Sequence, residues 1–261
     1  MAKQIITLTT DWGLSDHYVA AVKGKLLTLA KKDISIIDVS HVIPPLSVYE
    51  ASFVLRNCMD FFPEGTIHIV GVKSDASPAT PHVVVVRRGS YFIGADNGLF
   101  SLLFDDHDRI IEIDMFQDSD FFSFPTRDVF VKAAIHIANG NDLGLLGPEL
   151  ESLNDDLRMF TPADGIDSIS GVVIHIDHYG NIISNINVEE FREIIKGRKF
   201  IISFGGYEVS EISDSYMDVD DGELLALFNT SGLLEIAQNN GHAASVLGIS
   251  FTDNVKIIVK E

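Results

Sequence analysis

The sequence predicts an α/β N-terminal domain with a mainly parallel sheet, followed by a smaller, mostly β C-terminal domain. Strand and helix patterns alternate in the first half of the chain, and short strands with Gly, Asn and Asp turns fill its end. A polar stretch containing Pro162 and Gly165 separates the two patterns. We predict an α/β domain over residues 1–152, a linker over residues 153–167 and a β-rich domain over residues 168–261.

The strands of the N-terminal domain are predicted from short runs of β-branched and other apolar residues. Continuous Val and Ile content indicates burial on both faces, which is typical of a mainly parallel sheet. The predicted strands are residues 4–8, 34–39, 66–72, 83–87, 91–94 and 109–114. The second of them, 34–39, is expected to be buried.

The helices of this domain are predicted from caps and from helical spacing of apolar residues. Asp16 is the predicted cap of the first helix. Its apolar positions are Val19, Val22, Leu26 and Leu29. A capping box over Ser47–Glu50 opens the second helix, which is expected to end before Pro63, and residues 128–138 form the third.

The C-terminal domain is predicted from short strands and two brief helices. The strands are residues 171–176, 181–185, 199–204, 223–228 and 254–259. The helices lie near residues 188–196 and 233–239. This pattern predicts a compact, mostly β domain.

The composition excludes several classes of protein. With 46% hydrophobic and 22% charged residues, the chain is neither disordered nor fibrous. Its 38 acidic and 19 basic residues leave a formal charge of −19, which disfavours nucleic acid and anionic membranes as partners. The single cysteine, Cys58, excludes an internal disulfide, and no membrane span or signal peptide is evident. We therefore expect a cytoplasmic protein. The negative charge is compatible with a cationic or zwitterionic small molecule as ligand, but charge alone does not predict one.

Several common catalytic and binding motifs are absent. The chain lacks the glycine-rich dinucleotide and P-loop motifs and the Gly-x-Ser-x-Gly nucleophile elbow. His175, Asp177 and His178 are close in sequence, but on a strand His178 would face away from the other two. With no second ligand cluster to complete a site, we predict no metal.

Asp11 follows the first predicted strand, at the carboxyl edge of the sheet. Ligands bind at this edge in open α/β sheets, and a carboxylate can accept hydrogen bonds from two ribose hydroxyls. An Asx turn that leads into the first helix is the alternative explanation for this residue.

Two segments of the C-terminal domain have the residues of a binding site. Asp177–Asn181 is predicted to be a hairpin turn with Gly180 at positive φ, or a place where an acid and an amide converge on a ligand. Residues 229–232 are predicted to lead from a strand into a helix, whose first N–H groups and hydroxyls could bind a carboxylate. A simple N-cap is the alternative there.

Taken together, these segments resemble the S-adenosylmethionine hydroxide adenosyltransferase family, whose relatives include fluorinase and chlorinase enzymes. The matching stretches are residues 6–13, 38–45, 61–68, 91–99, 127–128, 177–181 and 229–237. The resemblance implies an α/β domain, a β-barrel-like C-terminal domain and a homotrimer with ligand sites between neighbouring subunits. It implies S-adenosylmethionine as substrate or ligand and no further cofactor.

The resemblance also implies roles for individual residues. Asp11 would bind the ribose hydroxyls, and Thr126 would join the substrate-binding residues. Asp177 and Asn181 would hold the methionine or adenine side, while the polar end would meet Thr230 and Ser231. The family's chemistry is attack of water or hydroxide on ribose C5′, with methionine as leaving group.

This chain departs from the family at the residues credited with activating water. Lys73 stands where the family's hydrolases have an Asp, Thr80 where they have an Arg, and Pro125 where they have a His. Lys73 also reverses the charge beside a cationic substrate. The sequence predicts an altered or weakened hydrolase that forms adenosine and methionine.

Three alternatives for the catalytic chemistry stay open. Asp75 or His82 would restore an activating group from a shifted loop. Lys73 would instead hold an anionic nucleophile, although Leu46 and Lys73 occupy the positions of the halogenase Trp and Tyr. The third alternative is a non-catalytic, sensory protein that binds adenosine or S-adenosylmethionine. For Arg127 and Asp128 we predict an internal ion pair that braces a helix start.

Overall fold

The computed structural model describes residues 3–117, 120–157 and 160–260. The chain divides into two compact units, Met1–Arg158 and Met159–Glu261.

The described residues of the N-terminal unit form six strands and four α-helices. The strands are β1 (Gln4–Thr10), β2 (Ile34–Ser40), β3 (Ile67–Gly71), β4 (His82–Arg87), β5 (Ser90–Ala95) and β6 (Arg109–Glu112). The helices are α1 (Tyr18–Leu29), α2 (Val48–Arg56), α3 (Leu99–Leu103) and α4 (Val131–Ala138). A π-helical turn over Thr126–Phe130 leads into α4.

One sheet organises this unit, with strand order β2-β1-β3-β5-β4-β6. β2, β1, β3 and β5 are parallel, and β4 runs antiparallel to β5 and β6. Every residue of the central strand β3 is buried, as continuous apolar runs predict. The mainly parallel sheet is therefore confirmed.

The predictions of a buried second strand and of an Asp16 cap are wrong. β2 lies at the edge of the sheet, where Ile34 is buried but Ile37 is 36% exposed. His17, not Asp16, stands at the N-cap of α1, and its side chain makes no capping bond. Ser47 does cap α2, because its hydroxyl accepts the Glu50 N–H.

In the C-terminal unit, residues 160–260 form eight strands and two α-helices. The strands are β7 (Ala163–Gly165), β8 (Ser168–Ile176), β9 (Ile182–Asn187), β10 (Phe200–Phe204), β11 (Tyr207–Val209), β12 (Leu224–Phe228), β13 (Leu233–Gln238) and β14 (Asn254–Val259). The helices are α5 (Val188–Ile195) and α6 (Ala243–Leu247). The strands form an antiparallel, nearly closed barrel in the order β11-β10-β14-β8-β9-β13-β12, with β7 beside β8. The mostly β, barrel-like prediction is confirmed.

The helix predicted at residues 233–239 is wrong, because this segment is the strand β13. It pairs with β12 on one side and with β9 on the other, and four of its six residues are buried. Asn229–Gly232 is consequently a hairpin turn that joins two strands. It contains no helix start, so the predicted N–H groups of a helix terminus are not present there.

In the part of the chain that the structure describes, no helix combines the length and the apolar content needed to cross a lipid bilayer.

Candidate functional site

The carboxyl edge of the N-terminal sheet brings several of the predicted residues together. Thr10 at the end of β1 pairs with Gly71 at the end of β3, so the segments that follow these strands start side by side. Asp11 and Trp12 directly follow β1, and Lys73 lies two residues after the end of β3. This edge is where open α/β sheets bind ligands.

Asp11 is half-buried and has one carboxylate oxygen anchored. Its Oδ2 accepts the backbone N–H of Leu46 at 2.8 Å, a residue held at φ 64° between β2 and α2. The carboxylate thus bonds to a different loop, in place of the local Asx turn that was the alternative. Within the described residues Oδ1 has no hydrogen bond, so it can still accept hydrogen bonds.

Thr126 supplies a buried hydroxyl at the same edge. Its side chain is fully buried, and Oγ1 has no hydrogen-bond partner in the described parts of the chain. A Cβ built on Gly71 would lie 3.1 Å from this oxygen and 2.6 Å from Cζ2 of Trp12. The glycine therefore allows the indole and the hydroxyl to approach the end of β3 closely.

Three aromatic rings meet beside this hydroxyl, a feature that the sequence analysis missed. The Trp12 and Phe124 rings pack edge to face at 5.2 Å, and Tyr18 meets Phe124 in the same way at 5.3 Å. Aromatic faces attract cations through their quadrupole. The chemistry of this cluster suits a cationic group better than an anionic one.

Lys73 is exposed and lies at φ 45°, a conformation that L residues rarely adopt. Asn97 Nδ2 donates to its carbonyl oxygen at 2.8 Å and holds the backbone there. Among the described residues its ammonium group has neither an ion pair nor a hydrogen bond. Thr80, farther along the loop, shares a 2.8 Å hydroxyl bond with Ser77.

His82 is half-buried at the start of β4. Its Nε2 lies 2.9 Å from the Ser74 carbonyl, so this nitrogen carries the proton and Nδ1 keeps a lone pair. Burial lowers the pKa of His82, although the Ser74 carbonyl and the charge of Asp75 oppose the shift. The ring also packs edge to face on Phe130, which belongs to the same turn as Thr126.

Arg127 and Asp128 form the predicted ion pair. Arg127 Nε donates to Asp128 Oδ1 at 2.8 Å, and Lys25 of α1 reaches the same oxygen at 3.1 Å. These partners, Arg127 above all, lower the pKa of the buried Asp128 carboxyl against the effect of burial. The pair braces the turn that carries Thr126 against α1.

In the C-terminal unit, Asp177 and Asn181 bond to one another. Asp177 Oδ1 accepts the N–H groups of Tyr179 at 2.9 Å and Asn181 at 2.8 Å, and Oδ2 accepts from Asn181 Nδ2 at 3.1 Å. Gly180 has φ 83°, which confirms the predicted turn. The imidazole of His242 packs on this glycine so closely that any Cβ would overlap it.

Thr230 and Ser231 are exposed in the hairpin turn between β12 and β13. Asn229 Oδ1 organises this turn by accepting the Ser231 N–H at 3.0 Å. The turn lies next to Asn187, whereas the Asp177–Asn181 turn precedes Ile182, at the other end of β9. At 3.3–3.4 Å per residue, the length of β9 separates the two turns by about 17 Å. One functional group of a ligand therefore cannot contact both turns.

A further polar contact near Asp177 was missed by the sequence analysis. Glu235 of β13 is only 4% exposed, and its Oε1 accepts the Tyr216 hydroxyl at 2.6 Å. Burial raises the pKa of Tyr216, and the hydrogen bond to Glu235 and the charges of Glu235 and Asp177 add to the effect. The signal in the sequence is a lone Glu in an apolar segment, but the sequence pattern predicts a helix there.

Within the described residues there is no group of three or more His, Cys, Asp or Glu side chains that could hold a metal ion.

Comparison with known proteins gives matches along both units. Residues 6–147 match the SAM hydroxide adenosyltransferase N-terminal domain, and residues 171–256 match the C-terminal domain of the same family. An (R)-S-adenosyl-L-methionine hydrolase of Methanocaldococcus jannaschii is 33% identical over 97% of this chain and 95% of its own. A fluorinase of Actinopolyspora mzabensis is 25% identical over 91% of each chain.

Solved structures match as well. An uncharacterized conserved protein from Thermotoga maritima has a TM-score of 0.87 at 30% identity and covers 98% of this chain and 100% of its own. A conserved hypothetical protein from Thermus thermophilus has a TM-score of 0.76 at 28% identity, with 99% and 100% covered.

Proposed function

The chain belongs to the SAM hydroxide adenosyltransferase family, and on this premise we propose that it hydrolyses (R)-S-adenosyl-L-methionine to adenosine and methionine. The observation that carries the proposal is the match of both units to one family, together with relatives named (R)-S-adenosyl-L-methionine hydrolase along nearly the whole chain. The same name fixes the sulfur epimer that we expect as substrate.

The reaction is a displacement at the ribose C5′ carbon. A water oxygen forms a bond to C5′ while the C5′–S bond breaks, and the sulfur keeps the electron pair as the neutral thioether of methionine. The water releases one proton, which balances the positive charge lost from the sulfonium. Because the leaving group is already activated, the protein's task is to position water in line and to exclude bulk solvent.

Asp11 is the residue that we assign to ribose binding. Leu46 already saturates one side of its carboxylate, and Oδ1 remains to accept a hydrogen bond from a ribose hydroxyl. A carboxylate also lowers the energy of a nearby sulfonium, so the residue favours the cationic substrate over neutral adenosine.

Thr126 is the residue that we assign to the attacking water. A buried hydroxyl without a partner costs about 1–3 kcal/mol, which a bound water would recover. The neighbouring aromatic cluster of Trp12, Tyr18 and Phe124 suits the sulfonium through cation–π attraction. In this proposal the attacking water bonds to Thr126 and the sulfonium lies against the aromatic cluster, both at the carboxyl edge of the N-terminal sheet.

His82 is the candidate for accepting the proton of the attacking water. Its lowered pKa keeps the imidazole neutral at pH 7, and Nδ1 retains the lone pair that a base requires. Asp75, whose charge acts on His82, would stabilise the imidazolium that forms. Lys73 has no base function while it is protonated.

A second candidate function is binding of the adenosyl ligand without turnover. The exposed ammonium of Lys73 in place of an acid favours it, as does the engagement of Thr80 with Ser77. The exposed ammonium group of Lys73 would also fit an enzyme in which this residue holds an anionic nucleophile other than hydroxide.

We further propose that the chain assembles as a homotrimer with ligand sites between neighbouring subunits, as the family resemblance implies. Light scattering on a size-exclusion column should give three times the 28.7 kDa chain mass. A monomer at the concentrations used for activity would contradict this part of the proposal.

Incubation of the purified protein with each sulfur epimer of S-adenosylmethionine tests the main proposal. We expect adenosine and methionine in equal amounts from the (R) epimer, with Asp11→Asn losing at least about 90% of kcat/KM, as removal of a charged hydrogen bond predicts. Asp105→Asn, an exposed acid outside the site, is the matched control and should keep wild-type activity.

The outcome separates the two candidate functions. Absence of adenosine above a buffer blank at micromolar enzyme rejects hydrolysis. Calorimetric binding of S-adenosylmethionine without product then supports the binding function, and absence of binding rejects both.

A further inference from the structure

We infer that His41 is a positioning residue that fixes Asp11 for ribose binding, an inference that rests on the proposed function. His41 follows β2 directly, and its side chain is 4% exposed. It is outside the set of residues to which the family resemblance gives a role. Its contacts reach the chain on both sides of Asp11.

Two hydrogen bonds connect His41 with the segment around Asp11. On the N-terminal side, Nδ1 lies 2.8 Å from the hydroxyl of Thr10, the residue that precedes Asp11. On the C-terminal side, the His41 carbonyl accepts the Gly13 N–H at 2.6 Å. The backbone of Asp11 is therefore held from both directions by one residue.

The side chain of Asp11 depends on the same loop. Leu46, five residues beyond His41, donates its N–H to Asp11 Oδ2 at 2.8 Å. Three hydrogen bonds thus join the two loops, and together they decide which way the second carboxylate oxygen faces. Because ribose recognition requires that oxygen at hydrogen-bond distance, a loosened loop would weaken binding before it affected chemistry.

Asp38 defines the orientation and tautomer of the His41 ring. His41 Nε2 lies 3.1 Å from Asp38 Oδ1, close but off the line of an aligned hydrogen bond, and Lys23 reaches Asp38 Oδ2 at 2.6 Å. Against the opposing effect of burial, Lys23 and His41 lower the pKa of Asp38. A carboxylate at this distance attracts the N–H form of Nε2, so Nδ1 is the acceptor for the Thr10 hydroxyl.

The polar chain therefore runs from Thr10 through His41 to Asp38. A hydroxyl, an imidazole and a carboxylate follow one another here in the same order as in a hydrolytic triad. Thr10 is fully buried, however, and cannot reach a substrate, so this chain of residues is not a catalytic triad. Its function is to hold a strand end in place.

Four variants test this inference. His41→Ala removes all side-chain contacts, while His41→Asn keeps an amide near the position of Nδ1 and His41→Gln places it near Nε2. Thr10→Val removes only the hydroxyl and preserves the shape. Loss of one hydrogen bond of about 1.4 kcal/mol corresponds to a tenfold change.

We expect KM for S-adenosylmethionine, and the calorimetric Kd for adenosine, to rise about tenfold in His41→Ala, His41→Gln and Thr10→Val. kcat should stay within about twofold of wild type, and His41→Asn should recover most of the affinity. A general loss of folding would instead lower the active fraction in all variants, with KM unchanged.

Amide hydrogen exchange tests, independently of activity, whether His41 holds the segment around Asp11. The N–H groups of Gly13 and Leu46 should exchange at least about tenfold faster in His41→Ala, because loss of the side-chain hydrogen bond to Thr10 loosens the two loops that these N–H groups join. The Gly65 N–H, which bonds to the Gly89 carbonyl at 3.0 Å, is the matched control and should not change.

The two readouts separate the possible failures. If exchange at Gly13 and Leu46 is unchanged, the inference about His41 is overturned whatever the activity. If His41→Ala does not fold, Thr10→Val decides by the same measurements. If wild type shows neither turnover nor binding, the proposed function fails, and the exchange rates still decide whether His41 holds the loop.

Discussion

At the residue scale, the interior of the N-terminal unit contains buried polar atoms that lack a hydrogen-bond partner among the described residues. They belong to Thr9, His41, His68, Asp96 and Thr126. A buried polar atom without a hydrogen-bond partner lowers the stability of the fold, so each of these positions calls for a physical explanation. Asp96 and Thr126 are close to strand ends, and burial raises the pKa of Asp96 although Asn154 donates to it.

His68 gives a prediction about pH and stability. It is buried in β3, stacks on Phe92 at 4.6 Å and shares a 2.8 Å bond with the Thr7 hydroxyl. Burial lowers its pKa to about 4, from 6.5 in the unfolded chain. Between pH 6.5 and pH 4 the unfolded state therefore binds more protons than the folded state. The free energy of unfolding consequently decreases as the pH falls from 6.5 to 4.

The loss should amount to about 3 kcal/mol over this window. Urea unfolding of wild type and His68→Gln at pH values from 7.5 to 4 measures it, and the difference between the two slopes is the contribution of His68. His107→Gln, an exposed histidine, is the control and should keep the wild-type slope. Parallel curves for wild type and His68→Gln would contradict the prediction.

At the element scale, long-range pairing decides what a short apolar segment becomes. Leu, Glu, Ala and Gln are good helix formers, and they predicted a helix at residues 233–239. The segment is β13, because β9 and β12 offer it hydrogen bonds on both edges. Local signals were sufficient for the start of α2, where the Ser47 cap agrees with the structure.

The end of β3 gives a prediction about packing. In Gly71→Ala the new Cβ would lie 2.6 Å from the Trp12 ring, which must move. We expect a loss of about 1–3 kcal/mol in the free energy of unfolding, since overpacking strains its neighbours. KM for S-adenosylmethionine should rise as well, because the aromatic cluster is displaced.

Gly24→Ala is the matched control for this prediction. Gly24 lies in α1 with nothing within 4 Å of its Cβ position, so alanine should stabilise the helix by up to about 1 kcal/mol. Chemical denaturation and steady-state kinetics of both variants measure the contrast. Equal behaviour of the two alanine variants would show that Trp12 has room to move.

At the scale of the whole molecule, the charge of −19 dominates the electrostatics. Repulsion among like charges destabilises a compact state, and salt screens it over a Debye length of about 10 Å at 0.1 M. We expect the melting temperature at pH 7.5 to rise by several degrees between about 10 and 300 mM NaCl. Near the sequence pI of 4.7 the rise should vanish, which calorimetry at the two pH values can check.

The fold class, the family resemblance and the segments that follow strand ends, including Asp11 and the Gly180 turn, can all be predicted from the amino-acid sequence. These features are local, because hydrophobic period, caps and turn residues act over a few positions. Long-range contacts instead determine that residues 233–238 form a strand, that Thr126 Oγ1 has no hydrogen-bond partner among the described residues, and that His41 bonds to Thr10 next to Asp11. Each of these features depends on contacts between residues far apart in the chain. Such contacts form, and stabilise the structure, only after the strands have paired.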